Sequence, residues 1–304
     1  MGSLKKFKKI LILSGGISEE RDISKLSASH VYETIKNQTI TKILDVSEKA
    51  EELLTKIRKF KPDVIFNCLH GRFGEDGQIQ SILNYLKVPY THSGVLTSAI
   101  LMNKIISKKL FESIGIRTPE FFNENDFKDH VLQFPLIIKP IDGGSSYGLI
   151  KINNAKSLDK YLKNKKIKKS KMLIEKFIDG RELTVGILEN KICGVMEVKF
   201  KEELYDYNNK YINIAKHIIN PKLPKEIEKE LIESSLKVHS YLNCNCISRI
   251  DFRYNVKTNK TYLLEVNTQP GLTKNSLLPE MAKEKGISFL QLCETLLKNS
   301  ICEI

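Results

Sequence analysis

The chain has 304 residues, 41% of them hydrophobic and 28% charged, which is the balance of a globular protein with room for two or three domains. No apolar run approaches the ~18 residues of a membrane span, so no membrane-spanning helix is expected. The net charge of +13 would suit a nucleic-acid binder, but the densest basic run, Lys163 to Lys171, has no aromatics for base stacking and reads as a solvated helix end.

The opening Met1-Gly2-Ser3-Leu4-Lys5-Lys6 and the short apolar stretch Ile10 to Leu13 do not fit a signal peptide, so a cytoplasmic location is expected. Lys9 to Ser14 reads as a buried strand that ends at Gly15-Gly16. A helix is predicted from Ser18 to Lys36, a strand over Thr41 to Val46, a helix over Glu48 to Phe60 and a strand over Val64 to Asn67. Strands alternating with helices predict a doubly wound parallel sheet, with ligands beyond the carboxyl ends of its strands. Gly15-Gly16 lacks the full dinucleotide pattern, which argues against a dehydrogenase.

A helical region is predicted from Val95 to Ile114. A small α+β unit follows: strand Leu136 to Pro140, a Gly/Ser loop Gly143 to Gly148, strand Leu149 to Ile152, helix Ser157 to Lys166 and strand Met172 to Phe177. Strands Leu183 to Leu188 and Ile192 to Val198 lead to a polar loop with Tyr205 to Tyr211. A helix over Lys225 to Leu242, a β-hairpin and two helices complete the chain. Six cysteines are scattered, only Cys244 and Cys246 lie close together, and all read as buried thiols.

The hairpin is the most informative element. Strands Ile247 to Tyr254 and Thr261 to Asn267 fit a three-residue loop, Lys257-Thr258-Asn259, with Asn259 left-handed. That register sets Asp251 opposite Glu265 and Arg249 opposite Asn267. Side chains alternate, so these four share one face, while Ile250, Phe252, Leu264 and Val266 fill the other. Opposed carboxylates about 5 Å apart repel. A hard divalent cation held by Asp251, Glu265 and Asn267 would relieve this, and so would Arg249 on a solvated face. The hairpin alone leaves both readings open.

Lys139 ends a strand beside the Gly/Ser loop, where backbone N–H groups can turn toward an anion; a lysine so placed suits nucleotide phosphates. Lys104 is a second candidate, with an ordinary helix lysine as its rival reading.

Taken together, the chain resembles the D-alanine–D-alanine ligases of the ATP-grasp superfamily, nearly end to end. The matching stretches are Leu13 to Arg21, Leu69 to Gly77, Tyr90 to Gly94, Met102 to Lys104, Ile138 to Pro140 and the Gly/Ser loop. They continue with Glu175 to Phe177, Glu182 to Val185, Tyr205 to Tyr207, Lys210-Tyr211, Arg249 to Asp251 and Glu265 to Thr273. The chain departs from the family at Gly143, where Glu is frequent, and at Ser248, where Gly is usual.

The resemblance implies a two-lobed ATP-grasp fold behind the parallel-sheet domain, with divisions at 1–94, 95–179 and 180–304. It implies ATP and Mg²⁺ (or Mn²⁺), with two ions held by Asp251, Glu265 and Asn267. Lys104, Lys139 and Lys210 would hold phosphates, assisted by Ser146. Glu175, Phe177 and Ile178 would frame the adenine, and Glu182 the ribose. Arg249 and the Gly271 N–H would stabilise the tetrahedral oxygen of acyl transfer. Glu20 would meet the first D-alanine's ammonium, and the helix start at Ser276-Leu277 the second's carboxylate. Tyr211 and Ser145 would close over the site with Glu20. His70 is either a general base or a structural hydrogen-bonder. Lys210-Tyr211 favours a dipeptide over the D-lactate ester. A homodimer through the first domain is a family expectation. The rivals are an ATP-grasp ligase with another second substrate, a non-catalytic nucleotide sensor and a basic nucleic-acid-binding module.

Overall fold

The computed structural model describes residues 6–123, 132–144, 148–163, 171–200 and 215–303. Strand β1 (Lys9–Gly15) lies between β2 (Ile40–Val46) and β3 (Val64–Asn67), all parallel. Its apolar run is buried on both faces because helices cover both. Ile10 and Ile12 pack with Ala28, Val31 and Ile35 of α1 (Arg21–Ile35). Leu11 and Leu13 pack with Leu53 and Ile57 of α2 (Ala50–Phe60), and with Ile79 and Leu83 of α3 (Gln78–Tyr85). The doubly wound arrangement is therefore as expected. Helix α3 was not anticipated; it starts after Gly77, whose φ of +91° turns the chain.

The region expected as one helix from Val95 to Ile114 is two, α4 (Val95–Met102) and α5 (Lys104–Ser113). Asn103 makes the break. Its backbone is extended, and its side chain accepts the N–H groups of Ile105 and Ile106, each at 3.1 Å, capping α5. Lys104 thus becomes the first residue of a helix.

The next sheet is antiparallel, in the order β4 (Phe121–Asn123), β7 (Met172–Lys176), β5 (Leu136–Pro140), β6 (Ile150–Ile152). Helix α6 (Ala155–Lys163) covers it through Leu158. A third sheet runs β10 (Lys216–Ile219), β9 (Lys191–Lys199), β8 (Arg181–Leu188), β11 (Ile247–Asn255), β12 (Lys260–Asn267). Its core takes in Leu101, Phe111 and Ile116 from the α4–α5 region and Ile227, Leu231 and Val238 of the helix Lys225–Tyr241. Its other side meets the helices Leu277–Glu284 and Phe289–Lys298, which also pack against α1. The chain end returns to the first sheet, where Tyr90 bridges both Ile65 and Ile301. The short strands β4 and β10 carry too few residues to show alternation.

The hairpin register pairs Asp251 with Glu265 and Arg249 with Asn267, as expected. A bulge follows at Asp251/Phe252, so Phe252 pairs with Leu263. Leu263 is then the core residue, fully buried, and Leu264 turns to the other side; the assignment of Leu264 to the core is corrected. The shift also lengthens the turn, with Asn255 paired to Lys260 and Asn259 at φ +51°.

Candidate functional site

A cleft lies between the two antiparallel sheets. Lys139 and Glu175 come from β5 and β7 on one side, and Thr184, Asp251, Leu264 and Glu265 from the facing sheet. Phe177, Ile178 and Glu182 line the same cleft where the chain crosses between the sheets. A second cavity adjoins it, walled by Glu20, His70, Asn267, Gly271 and Ser276. Arg249, Glu265, Gly144 and Leu277 line both.

The hairpin face is tightly bonded. Arg249 donates to both oxygens of Asp251, Nε at 2.9 Å and Nη2 at 2.8 Å. Thr184 donates to Asp251 at 2.6 Å and the Asn267 amide at 3.0 Å. Glu265 has Lys104 at 3.9 Å. The opposed carboxylates are thus shared between two cations, Arg249 for one and Lys104 for the other. The face offers two carboxylates and an amide, a hard oxygen set that fits a magnesium ion.

Lys104 is buried at the start of α5. Its Nζ donates to Gly143 O at 2.6 Å, reaching the Gly/Ser loop. Burial pulls its pKa down, with Glu265 opposing. Lys139 lies 2.6 Å from Glu175 Oε1. Glu175, expected beside an adenine, lines the cleft with Phe177 and Ile178, and its carboxylate lies between Lys139 and Lys108. Burial would raise that carboxyl's pKa, but the two lysines outweigh it and hold it at about 2. Beside the hinge, Glu182 pairs with Arg253 at 3.2 Å, and Lys151 lies 4.2 Å over the Phe177 ring.

The second cavity gathers distant segments. Glu20 sits at the N-terminus of α1, against the Gly/Ser loop. A Cβ on Gly144 would lie 2.6 Å from its carboxylate, so a larger residue there would push the Glu20 side chain aside. His70 is buried, with Nδ1 3.2 Å from Glu75 and Nε2 3.3 Å from Ser27 Oγ. Burial disfavours its charged form, but Glu75 and Glu20 prevail and raise its pKa. Ser276 precedes the helix Leu277–Glu284 in extended conformation, without capping it. Its Oγ instead accepts the Thr273 N–H at 3.0 Å and lies 3.0 Å from where a Gly271 Cβ would be. The Gly271 loop is fastened to the first domain. Asn67 donates to Gln269 at 3.0 Å, Gln269 donates to Leu69 O, and His30 contacts Leu272 O at 2.9 Å.

Ser145, Ser146, Lys210 and Tyr211 lie outside the described residues. The sequence reading missed Lys108, Thr184 and Gln269. Lys108 had a usable signal: with Lys104 and Phe111 it falls at helical spacing on the buried face of α5.

Two facing antiparallel sheets with a cleft between them, behind a parallel sheet, define an ATP-grasp enzyme. The family description "D-ala D-ala ligase C-terminus" matches residues 110–298, and "D-ala D-ala ligase N-terminus" residues 43–93. The chain is 46% identical to the D-alanine–D-alanine ligase of Pelagibacter ubique, covering 96% of this chain and 98% of that one. It is 40% identical to that of Wolbachia pipientis wMel, covering 96% and 94%. The ligase structure from Bacillus anthracis superposes with a TM-score of 0.81 at 32% identity, covering 96% of each chain. The structure of that enzyme complexed with ATP gives 0.81 at 28% identity, covering 96% and 97%. This chain belongs to the D-alanine–D-alanine ligase family. Among the described residues no helix is long and apolar enough to cross a membrane.

Proposed function

We propose that the chain joins two D-alanine molecules into D-alanyl-D-alanine at the expense of ATP, as a step in building peptidoglycan precursors in the cytoplasm. The observation that carries this reading is the single wall shared by the two cavities. Arg249 and Glu265 line both the cleft between the antiparallel sheets and the adjoining chamber at the parallel sheet, as transfer from ATP to a bound acid requires.

In this reading a carboxylate oxygen of the first D-alanine attacks the γ-phosphorus, and ADP leaves. The amine of the second attacks the acyl carbon, phosphate leaves and the amine loses a proton. Such chemistry needs positioning and charge neutralisation above all. Lys104, Lys139 and Lys210 hold the phosphates, with Ser146 and its loop. Asp251, Glu265 and Asn267 would hold magnesium, or manganese, which would screen phosphate charge. Phe177, Ile178 and the backbone at Glu175 frame the adenine, with Glu182 at the ribose. Glu20 receives the first ammonium, and the N-terminus at Ser276 and Leu277 the second carboxylate. Arg249 and the Gly271 N–H receive the developing oxyanion. Both His70 ring nitrogens already have partners, which favours an orienting role over that of a base. Tyr211 and Ser145 close the site with Glu20. Residues 1–94 serve the first substrate and any homodimer, 95–179 and 180–304 the nucleotide.

Incubation with ATP, Mg²⁺ and D-alanine should release phosphate and give a product with the mass of D-alanyl-D-alanine. ATP turnover only with another acceptor, such as D-lactate, would assign a different second substrate. Nucleotide binding without any product would make the chain a sensor.

A further inference from the structure

Lys108 takes part in no step above, yet it is a fully buried lysine behind the cleft, beneath its lining residue Glu175. It lies one turn beyond Lys104 on α5. Its Nζ is 2.9 Å from Glu175 Oε2, in a close ion pair rather than an aligned hydrogen bond. It donates to Thr118 Oγ1 at 2.6 Å, and Thr118 donates to Leu263 O at 2.8 Å. The Phe121 ring lies 5.7 Å away. The other Glu175 oxygen is 2.6 Å from Lys139 Nζ. Two ammonium groups therefore share one carboxylate, and of the three residues' charges one positive is left over.

The position of that surplus matters. Lys108 is sealed from solvent, while Lys139 lines the cleft. Without Lys108, Glu175 and Lys139 would form a closed, neutral pair, and a phosphate would have to compete with Glu175 for the ammonium. With Lys108 present, Glu175 is satisfied from behind. Burying a lysine is costly, and an apolar side chain would pack α5 equally well. A charge at this depth is explained by what it does to its partner.

We propose that Lys108 is a positioning residue for the nucleotide: by saturating Glu175 it leaves the charge of Lys139 available to the phosphate chain. The inference rests on the cleft being the nucleotide site. Burial lowers the pKa of Lys108 to about 8, with Glu175 the chief opposing influence, and the 2.9 Å ion pair with that carboxylate favours the ammonium form.

A double-mutant cycle tests it, using the full chain with Mg²⁺ and ADP binding followed by calorimetry. Lys108→Met should weaken ADP binding roughly tenfold or more, the loss of one charge-assisted contact. In steady state the KM for ATP should rise and the KM for D-alanine should not. In the Glu175→Gln background, Lys108→Met should have no further effect, because the carboxylate through which it acts is gone. A residue that only fills space would cost the same in both backgrounds, and that result overturns the inference. So does unchanged ADP binding in Lys108→Met. Should Lys108→Met alone fail to fold, the pair of Glu175→Gln variants decides: equal affinities uphold the proposal, and a tenfold gap between them overturns it. Failure of the parent protein to bind ADP would instead remove the nucleotide reading of the cleft.

Discussion

The two ends of the reaction cleft are built in opposite ways. At the hairpin end, Arg249, Asp251, Glu265 and Asn267 come from two hydrogen-bonded strands, and their mutual placement follows from one register. At the chamber end, Glu20, His70, Gly144, Gly271 and Ser276 come from separate loops and helix starts. The first end is rigid because the sheet ladder makes it so. The second depends on a few long-range bonds, Asn67 to Gln269 and His30 to Leu272 among them. Groups that act on the most highly charged species sit on the rigid frame, and groups that receive a small amino acid sit on the assembled one. Substitutions at the two ends should therefore fail differently.

The largest effect is expected at the hairpin. Glu265→Gln removes one of the two carboxylates on the face and the ionic partner of Lys104. We expect kcat/KM for ATP to fall on the order of 100-fold, with D-alanine binding little changed. Steady-state phosphate release across a range of Mg²⁺ concentrations checks this. A loss confined to D-alanine would break the division between the two ends.

Ser276→Ala comes next. The Ser276 Oγ ties the helix start to Thr273 and abuts Gly271. Its removal loosens the loop without touching the hairpin. The KM for the second D-alanine should rise roughly tenfold, as for one lost hydrogen bond and some misalignment, with the KM for ATP unchanged. Equal changes in both would mean that the chamber is not a separate unit.

Smaller still is His70→Gln. With Glu75 on one nitrogen and Ser27 on the other, the ring braces α1 against the loop after β3. Kcat should fall less than about tenfold, with the acid limb of the pH–rate profile in place. Loss of that limb would make His70 the base.

The same contrast explains what could be read from the sequence. The hairpin was legible because strand alternation is strictly local: once the turn was placed, four residues fell on one face. The bulge was not, since a single inserted residue leaves the hydrophobic pattern almost unchanged; Leu263 and Leu264 look equally suited to the core. The break at Asn103 was available in principle, because Asn is a strong helix cap, but the apolar pattern runs through it. The chamber had no local signal. Glu20 and Ser276 look like ordinary helix-start residues, and only resemblance set them together. Glu175 marks the limit of resemblance, which gives a position but not the direction of a side chain. Its carboxylate turns inward because two buried lysines wait there.

The last prediction bears on stability rather than turnover, and it probes the two ends separately. His239 lies behind the hairpin, with Nδ1 2.7 Å from Ser248 Oγ and Nε2 3.0 Å from Asn190 Oδ1. His92 lies behind the chamber, 2.9 Å from Thr91 Oγ1. Burial pushes the pKa of His239 down to about 4. Burial, with His70 nearby, pushes that of His92 down to about 3. Above the ordinary value of 6.5 both are neutral whether folded or unfolded, and neither makes stability depend on pH. Below it the unfolded chain takes up protons that the folded chain refuses. Each histidine then removes about 1.4 kcal/mol per pH unit until its folded pKa is reached. Urea unfolding at pH 7, 6 and 5 should show stability falling toward acid. His239→Gln should remove the hairpin's share of that slope and leave the share due to His92. An unchanged slope would mean that His239 is protonated in the folded protein, and that the wall behind Arg249 admits a charge its geometry is built to exclude.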